Sequence, residues 1–372
     1  MNCEIEFMPV GSGVKPGDAI VIRYGSPTAY ELMVVDGGTL ESGTDLVKHL
    51  RTTFGEGVWL SHVVLTHPDA DHASGLRTVL TEIPTRNMWL HVPWVHAEES
   101  KPYFANKTWT SEGLAAALRN EYDILSDIFD IAVRKRIPVY EPFVGSSIGP
   151  FQILSPYRQI YNFLLPQFDR TPAPDQAAIE AAHCWIGSQQ PSGVLGQFLV
   201  EAVTRMREWI PETWANERLQ DGGVTSASNE SSAILYGAFD SGRVLLTGDA
   251  GVWALTLAAQ HAEQSCIPLQ NFSFVQIPHH GSRRNVGPTI LNRILGPIQP
   301  EGSTPRLTAF VSAPADDDNH PRKMVTNAFI RRGGTVIATQ GRKKLYYGGF
   351  PPRPDYSPAV PMQWATLVEA YD

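Results

Sequence analysis

The sequence predicts an α/β protein, because strand-like and helix-like segments alternate along the chain. The N-terminal segments follow the order strand, strand, helix, strand, at 19–24, 31–38, 44–54 and 63–65. The same alternation returns from residue 231. Four buried-looking strands end in His or Asp beside Gly or Pro, at Asp36, His67, Asp249 and His279. Such strand ends gather ligands in α/β proteins, so we expect these residues to meet at one sheet edge.

Each predicted strand and helix is inferred from the pattern of apolar and turn-forming residues in its segment. The predicted strands are short apolar runs, often β-branched, bounded by Gly, Pro or Asp, at 5–10, 19–24, 31–38, 63–65, 88–92, 151–156, 232–236, 243–249, 272–277, 307–312 and 335–339. The predicted helices have apolar residues three or four positions apart, at 44–54, 76–80, 110–137, 194–210 and 253–261.

The region 93–224 differs from the rest of the chain. Its helical periodicity and its Pro- and Gln-rich punctuation indicate a largely helical insertion, with one core strand near 151–155. We expect the insertion either to shape access to a site or to form a homodimer interface. A Pro-rich tail follows at 346–372.

Composition and charge exclude some classes of protein. The net charge of −8 argues against a protein that wraps nucleic acid by bulk electrostatics, although a local basic rim remains compatible with it. Cys3, Cys184 and Cys266 are too far apart for a thiolate zinc cluster and fit a reducing compartment. No apolar run reaches about 18 residues, and the N terminus lacks a signal-peptide pattern. We therefore expect a cytoplasmic protein with no membrane association.

The densest candidate site follows the strand at 63–65. His67, Asp69, Asp71 and His72 lie within six residues. Crowded carboxylates repel one another unless a positive charge lies between them, so we expect a divalent cation, Zn²⁺ or Mn²⁺. Alternation in an extended segment would place the first three on one side and His72 elsewhere, for a second ion. The alternative is a solvated turn in which Asp69 or Asp71 caps the next helix.

Two later motifs add candidate ligands. Asp249 follows a strand and, taken alone, serves equally well as the cap of the following helix. His279 and His280 also follow a buried strand, and adjacent histidines in that position are typical of metal or phosphate sites. One of the two suffices as a ligand, and the other then serves as a core or supporting histidine. The remaining histidines, apart from His320, are assigned to structure or surface: His49, His62, His91, His96, His183 and His261.

Three motifs, at 66–72, 246–249 and 278–282, resemble in their order the metallo-β-lactamase-fold hydrolases. The similarity is greatest to the hydrolase domain of the bacterial competence (DNA-uptake channel) protein and its stand-alone soluble relatives, which also have Asp at the position of Asp69. Further similar segments are Asn229–Ser232, Asn319–Pro321 and the glycine-rich stretch that ends at Asp18. The resemblance covers 1–92 and 225–345, which it identifies as the core domain.

The resemblance implies a four-layer αββα sandwich with a dinuclear metal site at one edge. His67, Asp69 and one partner would hold the first ion. Asp71, His72 and one of His279 and His280 would hold the second, and Asp249 would bridge them. Asp18 and Asp36 would support the site. Where the family has a further histidine this chain offers only Asn229 or Ser231, which favours Mn²⁺ more than an all-histidine site would.

The function expected from these residues is hydrolysis of a phosphodiester, by a nuclease or a nucleotide phosphodiesterase that uses a hydroxide shared by two cations. Asp71 would orient the hydroxide, and His320 or the spare histidine of the pair would protonate the leaving group. The expected substrate contacts are Asn229, Ser231, Ser282, Arg283, Arg284 and Lys323, although the basic residues equally suit a solvated loop. One alternative is a metallohydrolase of a lactone, lactam or thioester. Another is a non-catalytic binding domain with a residual metal site.

Overall fold

The computed structural model describes residues 1–11, 17–187 and 208–371, and only the backbone of 183–187. The strands in chain order are β1 (Asn2–Phe7), β2 (Ala19–Ser26), β3 (Ala29–Gly37), β4 (Leu60–Val64), β5 (Thr85–Trp89), β6 (Val139–Tyr140), β7 (Ser147–Ile148), β8 (Phe151–Ser155), β9 (Trp209–Pro211), β10 (Ile234–Phe239), β11 (Gly242–Leu246), β12 (Phe272–Gln276), β13 (Leu307–Val311), β14 (Gly334–Ala338), β15 (Lys344–Tyr346) and β16 (Leu367–Glu369). The α-helices are α1 (Leu40–Phe54), α2 (Ala70–Ala73), α3 (Leu76–Glu82), α4 (Ala97–Ser100), α5 (Ser111–Glu121), α6 (Asp123–Lys135), α7 (Arg158–Leu164), α8 (Gln176–Gly187), α9 (Ala227–Glu230), α10 (Val252–Gln264), α11 (Pro288–Leu295) and α12 (Lys323–Arg331). Short 3-10 turns lie at Pro93–His96, Lys101–Tyr103, Leu165–Gln167 and His279–Gly281.

Two seven-stranded sheets carry the fold. The first has the order β15-β1-β2-β3-β4-β5-β6, and the second has the order β14-β13-β12-β11-β10-β8-β7. Each sheet is antiparallel in one half and parallel in the other, with β3 to β6 parallel in the first sheet and β11 to β14 parallel in the second. β9 and β16 form a separate antiparallel ribbon.

Alternate residues of each strand face opposite sides, and this separates the apolar core into layers. Met33 and Val35 of β3 pack with Leu235 in the core between the two sheets. Val34, between them, belongs to the outer core that includes Leu46 of α1. Helices α10, α11 and α12 cover the outer face of the second sheet. The layers therefore follow the order helix, sheet, sheet, helix, and the predicted αββα sandwich is confirmed.

The carboxyl ends of parallel strands carry the candidate site. Asp36 lies at the end of β3, and His67 follows β4. In the second sheet Asp249 follows β11 and His279 follows β12. Residues beyond a strand end have no ladder partners, so their side chains are free to gather around a ligand.

The region 93–224 contributes to both sheets as well as to the helical layer. β6 extends the first sheet, and β7 and β8 form one edge of the second. Residues of α5, α6 and α7 pack into the outer core of the first sheet. The division of the chain at residues 92 and 225 stays a prediction. Among the residues described, no helix combines the length and the apolar character that crossing a bilayer requires.

The sequence predicts one long helix over 110–137, whereas the structure has two, α5 and α6, which meet at Tyr122. Tyr122 leaves the helical conformation, with φ −103° and ψ 58°, and its hydroxyl donates to the carbonyl of Asp169 at 3.4 Å. The apolar positions of the predicted helix are nevertheless buried: Leu114, Leu118, Leu125, Ile128 and Ile131. The predicted apolar face is therefore correct, whereas the prediction of one continuous helix is wrong. The apolar residues keep the same spacing across the bend, so their spacing does not reveal it.

The predicted helix at 194–210 falls mostly outside the described residues. Its last two positions, Trp209 and Ile210, lie in β9, so the helix prediction is wrong there. Ile210 pairs with Val368 of β16, and the neighbouring Glu212 accepts a hydrogen bond from the buried Arg331 at 2.6 Å. These tertiary contacts hold the segment extended against its local pattern.

Candidate metal centre

The loop after β4 carries four of the predicted ligands. The chain turns at Thr66–Asp69 and enters α2, with Asp69 at the N-cap position but without a capping side-chain hydrogen bond. Because α2 is helical and not extended, the predicted alternation of side chains along this segment is wrong. His72 turns back toward His67, with 4.2 Å between the ring centroids. Both imidazoles therefore face the same space.

The segment at Gly17 and Asp18 supports this loop from behind. Gly17 has a φ of +60°, and a Cβ there would lie 1.7 Å from the carbonyl oxygen of Asp71, an approach that only glycine allows. Asp18 is buried and accepts hydrogen bonds from Gln276 Nε2 at 2.8 Å and from the Ser312 hydroxyl. Burial raises the pKa of Asp18 to about 8.

Asp36 orients two residues of the loop. Its Oδ1 accepts the backbone N–H of Thr66 at 2.7 Å. Its Oδ2 accepts the Thr66 hydroxyl at 2.7 Å and the Nδ1–H of His72 at 2.8 Å. Asp36 has a φ of +57°, a left-handed conformation that Asp adopts more readily than most residues. Asp36 thus occupies the position expected of a supporting residue.

Asp249 lies at the centre of the cluster. Its Oδ2 is close to four imidazole Nε2 atoms, at 3.4 Å from His72, 3.8 Å from His279, 3.9 Å from His67 and 3.9 Å from His280. One buried carboxylate oxygen is therefore surrounded by nitrogens from two separate strand-end segments, those after β4 and β12.

A different carboxylate caps the helix that follows Asp249. Gly251 occupies the N-cap position of α10. Glu230 Oε2 accepts the N–H of Ala254 at 2.7 Å, and burial raises the pKa of Glu230 to about 7. The alternative reading of Asp249 as a simple helix cap therefore does not account for its position.

The second ring nitrogen of each central histidine has its own acceptor. These acceptors are Thr66 Oγ1 for His67 at 3.0 Å, Asp36 Oδ2 for His72 at 2.8 Å, Asn285 Oδ1 for His279 at 2.9 Å and the Ser312 carbonyl for His280 at 3.2 Å. The Thr66 hydroxyl donates its own proton to Asp36, so its oxygen is left to accept from His67. Each Nδ1 therefore carries the proton, and each Nε2 faces Asp249. Histidines that bind metals are oriented in this way.

Three polar atoms of the cluster are buried without a hydrogen-bond partner: Nε2 of His67, Nε2 of His72 and Oδ1 of Asp249. Isolated buried polar atoms are unfavourable, and cations among them would satisfy all three. Among the described residues, four overlapping groups of three donor atoms lie within 4.8 Å of one another. They are Asp36, His67 and His72; Asp71, His72 and His280; Asp249, His279 and His280; and Asp18, His72 and Asp249. Imidazole and carboxylate donors suit Zn²⁺ or Mn²⁺, so the residues fit divalent cations.

Burial and neighbouring charges oppose each other at these groups. Burial disfavours charge on His72, but the carboxylates of Asp249 and Asp36 outweigh it and hold the pKa of His72 well above its usual value. Burial also disfavours charge on Asp249, yet the neighbouring His72 holds the pKa of Asp249 well below its usual value. Burial lowers the pKa of His280 to about 3, so this ring is neutral. A neutral imidazole and an ionised carboxylate are the forms that bind cations, so His280 and Asp249 already have these forms and His72 must release a proton when a cation binds.

Asp69 and Asp71 complete the set of predicted ligands. Asp69 Oδ2 lies 3.7 Å from His67 Nε2, and the Asp69 side chain is 41% exposed. Asp71 is half-buried and groups with His72 and His280. The structure thus brings together all seven residues predicted as ligands: His67, Asp69, Asp71, His72, Asp249, His279 and His280.

The polar residues predicted to contact substrate already have intramolecular partners. Asn229 is buried, and its amide nitrogen donates to Thr225 Oγ1 at 2.7 Å and lies 3.2 Å from Nδ1 of His279. The Ser231 hydroxyl donates to the carbonyl of Ser228 at 2.6 Å. Ser282 Oγ accepts the N–H of Arg284 at 3.3 Å, and the Arg284 side chain is exposed.

Two predicted basic residues pack against aromatic rings near the β9–β16 ribbon. The Arg283 guanidinium lies 4.6 Å from the ring centroid of Tyr371 and donates to the carbonyl of residue 370. The Lys323 ammonium lies 4.4 Å from the ring centroid of Trp209. Both cations flank the loops that carry the histidine pair and His320.

His320 lies in the loop after β13. Its Nδ1 is 2.9 Å from Asp317 Oδ2, and its side chain is 29% exposed. Burial lowers the pKa of His320 from its usual value. The next residue, Pro321, packs on Gly281, which has a φ of +81° and where a Cβ would come within 2.4 Å of the proline ring. The His320 loop thus rests directly on the His279–Gly281 turn.

Asn285 contacts the candidate ligands but is not predicted from the sequence. Its amide nitrogen donates to the carbonyls of Asp249 at 2.8 Å and Ala250 at 3.4 Å, which leaves its oxygen for His279. Asn285 thereby joins the loops that follow β11 and β12. Neither periodicity nor a spacing rule marks it, because in sequence it is a single polar residue in a loop.

Comparison with known proteins supports the fold. Residues 12–150 match the sequence profile of the Metallo-beta-lactamase superfamily. No curated protein matches the sequence.

Three solved structures are similar to this chain at low identity. A Thermotoga maritima protein described as a metallo-beta-lactamase has 11% identity and a TM-score of 0.31, over 67% of this chain and 79% of that one. Unliganded yeast PDE1 has 13% identity and a TM-score of 0.41, over 92% and 99%. AidC, a dizinc quorum-quenching lactonase, has 10% identity and a TM-score of 0.28, over 67% and 67%. Likeness at this level does not identify a substrate.

The profile match includes strands β2 to β6 of the first sheet and the loop of His67 to His72, and the two sheets form an αββα sandwich. The histidines and aspartates of the cluster lie beyond strand ends of both sheets, and their donor atoms form groups that could hold a metal ion. Residues 12–150 are therefore similar to the metallo-β-lactamase superfamily, and the cluster offers imidazole and carboxylate donors that suit divalent cations.

Proposed function

We propose that the protein is a phosphodiesterase that uses two divalent cations, Zn²⁺ or Mn²⁺, and acts on nucleic acid or on a nucleotide. The observation that carries this proposal is the position of Asp249 Oδ2, within 3.9 Å of four imidazole Nε2 atoms whose Nδ1 atoms all have acceptors. A carboxylate with imidazoles on several sides is suited to bridge two cations.

The chain's own residues supply the remaining chemistry. Bound divalent cations lower the pKa of water toward about 7 and stabilise charge that develops at phosphorus. Asp71, half-buried beside His72, orients the attacking water. His320, when protonated at both ring nitrogens, gives its Nε2 proton to the leaving oxygen, and Asp317 accepts the Nδ1–H and stabilises this charged form.

Positive charge near the site supports a phosphate substrate. Arg283, Arg284 and Lys323 flank the turns that carry the candidate ligands and His320. Contacts between a cation and an aromatic ring leave the positive charge in place, so Arg283 and Lys323 still attract an anion. A neutral carbon substrate would not require these side chains.

The finer parts of the proposal rest on motif similarity. Asp69 matches the competence-type hydrolases, and we propose that this chain is a relative of that group. A lactone, lactam or thioester substrate is the second candidate, because the same metals would serve it. A non-catalytic binding domain is the third, and the four oriented imidazoles around Asp249 argue against it.

Hydrolysis of bis(p-nitrophenyl) phosphate tests the proposal. We expect hydrolysis that Mn²⁺ or Zn²⁺ supports, that a chelator abolishes and that Asp71→Ala reduces by at least about 100-fold. Asp45→Ala is the matched control, because Asp45 is an exposed carboxylate of α1. Hydrolysis of a lactone or thioester by the metal-loaded protein, with no phosphodiester cleavage, would favour the second candidate. Metal binding with neither activity would favour the third.

A further inference from the structure

The two adjacent histidines of the turn at 279–281 both face Asp249. Their Nε2 atoms lie 3.8 Å and 3.9 Å from Asp249 Oδ2, and their rings are inclined by 72°. Both have left-handed backbone conformations, with φ of 45° and 56°. Two consecutive residues of this kind are rare outside glycine, and such strain persists where a function requires it. A single histidine ligand would not need this arrangement.

His280 belongs with the buried side of the centre. Its donor nitrogen lies within 4.8 Å of donor atoms of Asp71 and His72. The side chains of His72 and His280 are 0% and 5% exposed. The Ser312 carbonyl accepts the Nδ1–H of His280 and fixes the ring.

His279 lies on the more exposed side. Its side chain is 33% exposed, and that of Asp69 is 41% exposed. Asp69 Oδ2 lies 3.7 Å from His67 Nε2, which makes these two residues an incomplete ligand set. His67 is itself 0% exposed, so its place in this set depends on its contact with Asp69. Of the four imidazoles around Asp249, those of His67 and His279 are the two that do not belong to the pair formed by His72 and His280.

Asn229 supports His279 and does not replace it as a ligand. The amide nitrogen of Asn229 donates to Thr225 Oγ1 and lies 3.2 Å from Nδ1 of His279. Asn285 Oδ1 accepts from the same Nδ1 at 2.9 Å, and its own amide is fixed by the carbonyl of Asp249. Asn285 thus holds the outer nitrogen of His279 and directs its Nε2 inward, and the amide of Asn229 packs beside that nitrogen.

We propose that the adjacent histidines bind different cations. His279 completes the first set with His67 and Asp69, His280 completes the second with Asp71 and His72, and Asp249 bridges them. Asn285 is the positioning residue for His279. The inference rests on the proposed dinuclear centre and identifies the ligand that stands in for the family histidine missing at Asn229.

Zinc stoichiometry of His279→Ala, His280→Ala and the double variant tests this assignment. We expect elemental analysis after equilibration with Zn²⁺ buffered at a low free concentration to give about two ions per chain for the unsubstituted protein, about one for each single variant and none for the double variant. If both histidines bind the same ion, the double variant keeps one, which would overturn the inference. An unchanged affinity for two ions in His279→Ala would overturn it as well. A wild-type chain without zinc would instead overturn the proposed function itself.

Asn285→Ala tests the positioning role. Competition with a chromophoric chelator should show that the affinity for one of the two Zn²⁺ ions falls by roughly 10- to 100-fold and that the affinity for the other is unchanged. Circular dichroism of the metal-free variant checks that the fold is kept. Equal weakening of both ions, or of neither, would contradict a specific action through His279.

Discussion

At the residue scale, the centre depends on side chains that would not themselves contact a cation. Asp36 accepts from both Thr66 and His72, and Thr66 in turn accepts from His67. One carboxylate therefore orients two of the four central imidazoles. Loss of such partners weakens metal affinity because the histidine must be ordered at the moment of binding.

Asp36→Asn should lower Zn²⁺ affinity by roughly 10- to 100-fold. Asparagine keeps the shape of the side chain and tolerates the left-handed backbone at this position, so we expect the fold to remain. Chelator competition measures the affinity, and Asp45→Asn on the exposed face of α1 is the control. An affinity equal to that of the control would show that Asp36 does not orient the ligands.

His320→Gln should affect substrates according to their leaving group. Protonation contributes about 10²- to 10⁴-fold where the leaving oxygen is basic, and little where it is an activated phenol. We therefore expect kcat to fall strongly for an alkyl phosphodiester and slightly for bis(p-nitrophenyl) phosphate. Equal losses on both substrates would contradict a proton-donor role for His320.

At the element scale, the C-terminal tail is bound to the first strand by buried charges. Arg353 pairs with Glu4 at 3.0 Å and with Glu6 at 2.6 Å, and both glutamates are 1% exposed. The N–H of Cys3 donates to the carbonyl of Gly348, which adds a backbone tie. The tail therefore compensates two carboxylates that β1 places in the interior.

Arg353→Ala should lower the free energy of unfolding by about 3 kcal/mol, because it leaves buried carboxylates with one partner fewer. Arg51→Ala is the matched control, since Arg51 pairs with Glu82 at 3.0 Å on the surface, where such pairs contribute less than about 1 kcal/mol. Urea unfolding measures both variants. A loss for Arg353→Ala no larger than that for the control would show that the tail is not an essential counter-charge.

Elements that follow local patterns are predictable from the sequence, and elements set by distant contacts are not. The strand at 272–277 and the helix at 253–261 appear as β12 and α10 within a few residues. The break at Tyr122 depends on a partner 47 residues away, and β9 exists through its pairing with β16. No local window contains either contact.

At the scale of the whole molecule, the sequence predicts which residues meet but not how they are held. Because Asp249 and His279 both follow predicted strands, the sequence predicts that they lie at one sheet edge. In the structure Asp249 Oδ2 is 3.8 Å from His279 Nε2. The acceptors behind the histidines, such as Asn285 and the Ser312 carbonyl, escape prediction, because a backbone carbonyl carries no sequence signal and a lone asparagine is common in loops. A cytoplasmic location and a homodimer through 93–224 stay predictions.

Metal stoichiometry of the purified chain tests the central claim most directly. Native mass spectrometry, with elemental analysis of the same sample, should find two divalent ions per chain and a loss of both in Asp249→Ala, because Asp249 lies between all four imidazoles. A chain that binds no ion after equilibration with Zn²⁺ and Mn²⁺, or one that binds two ions without Asp249, would contradict the account.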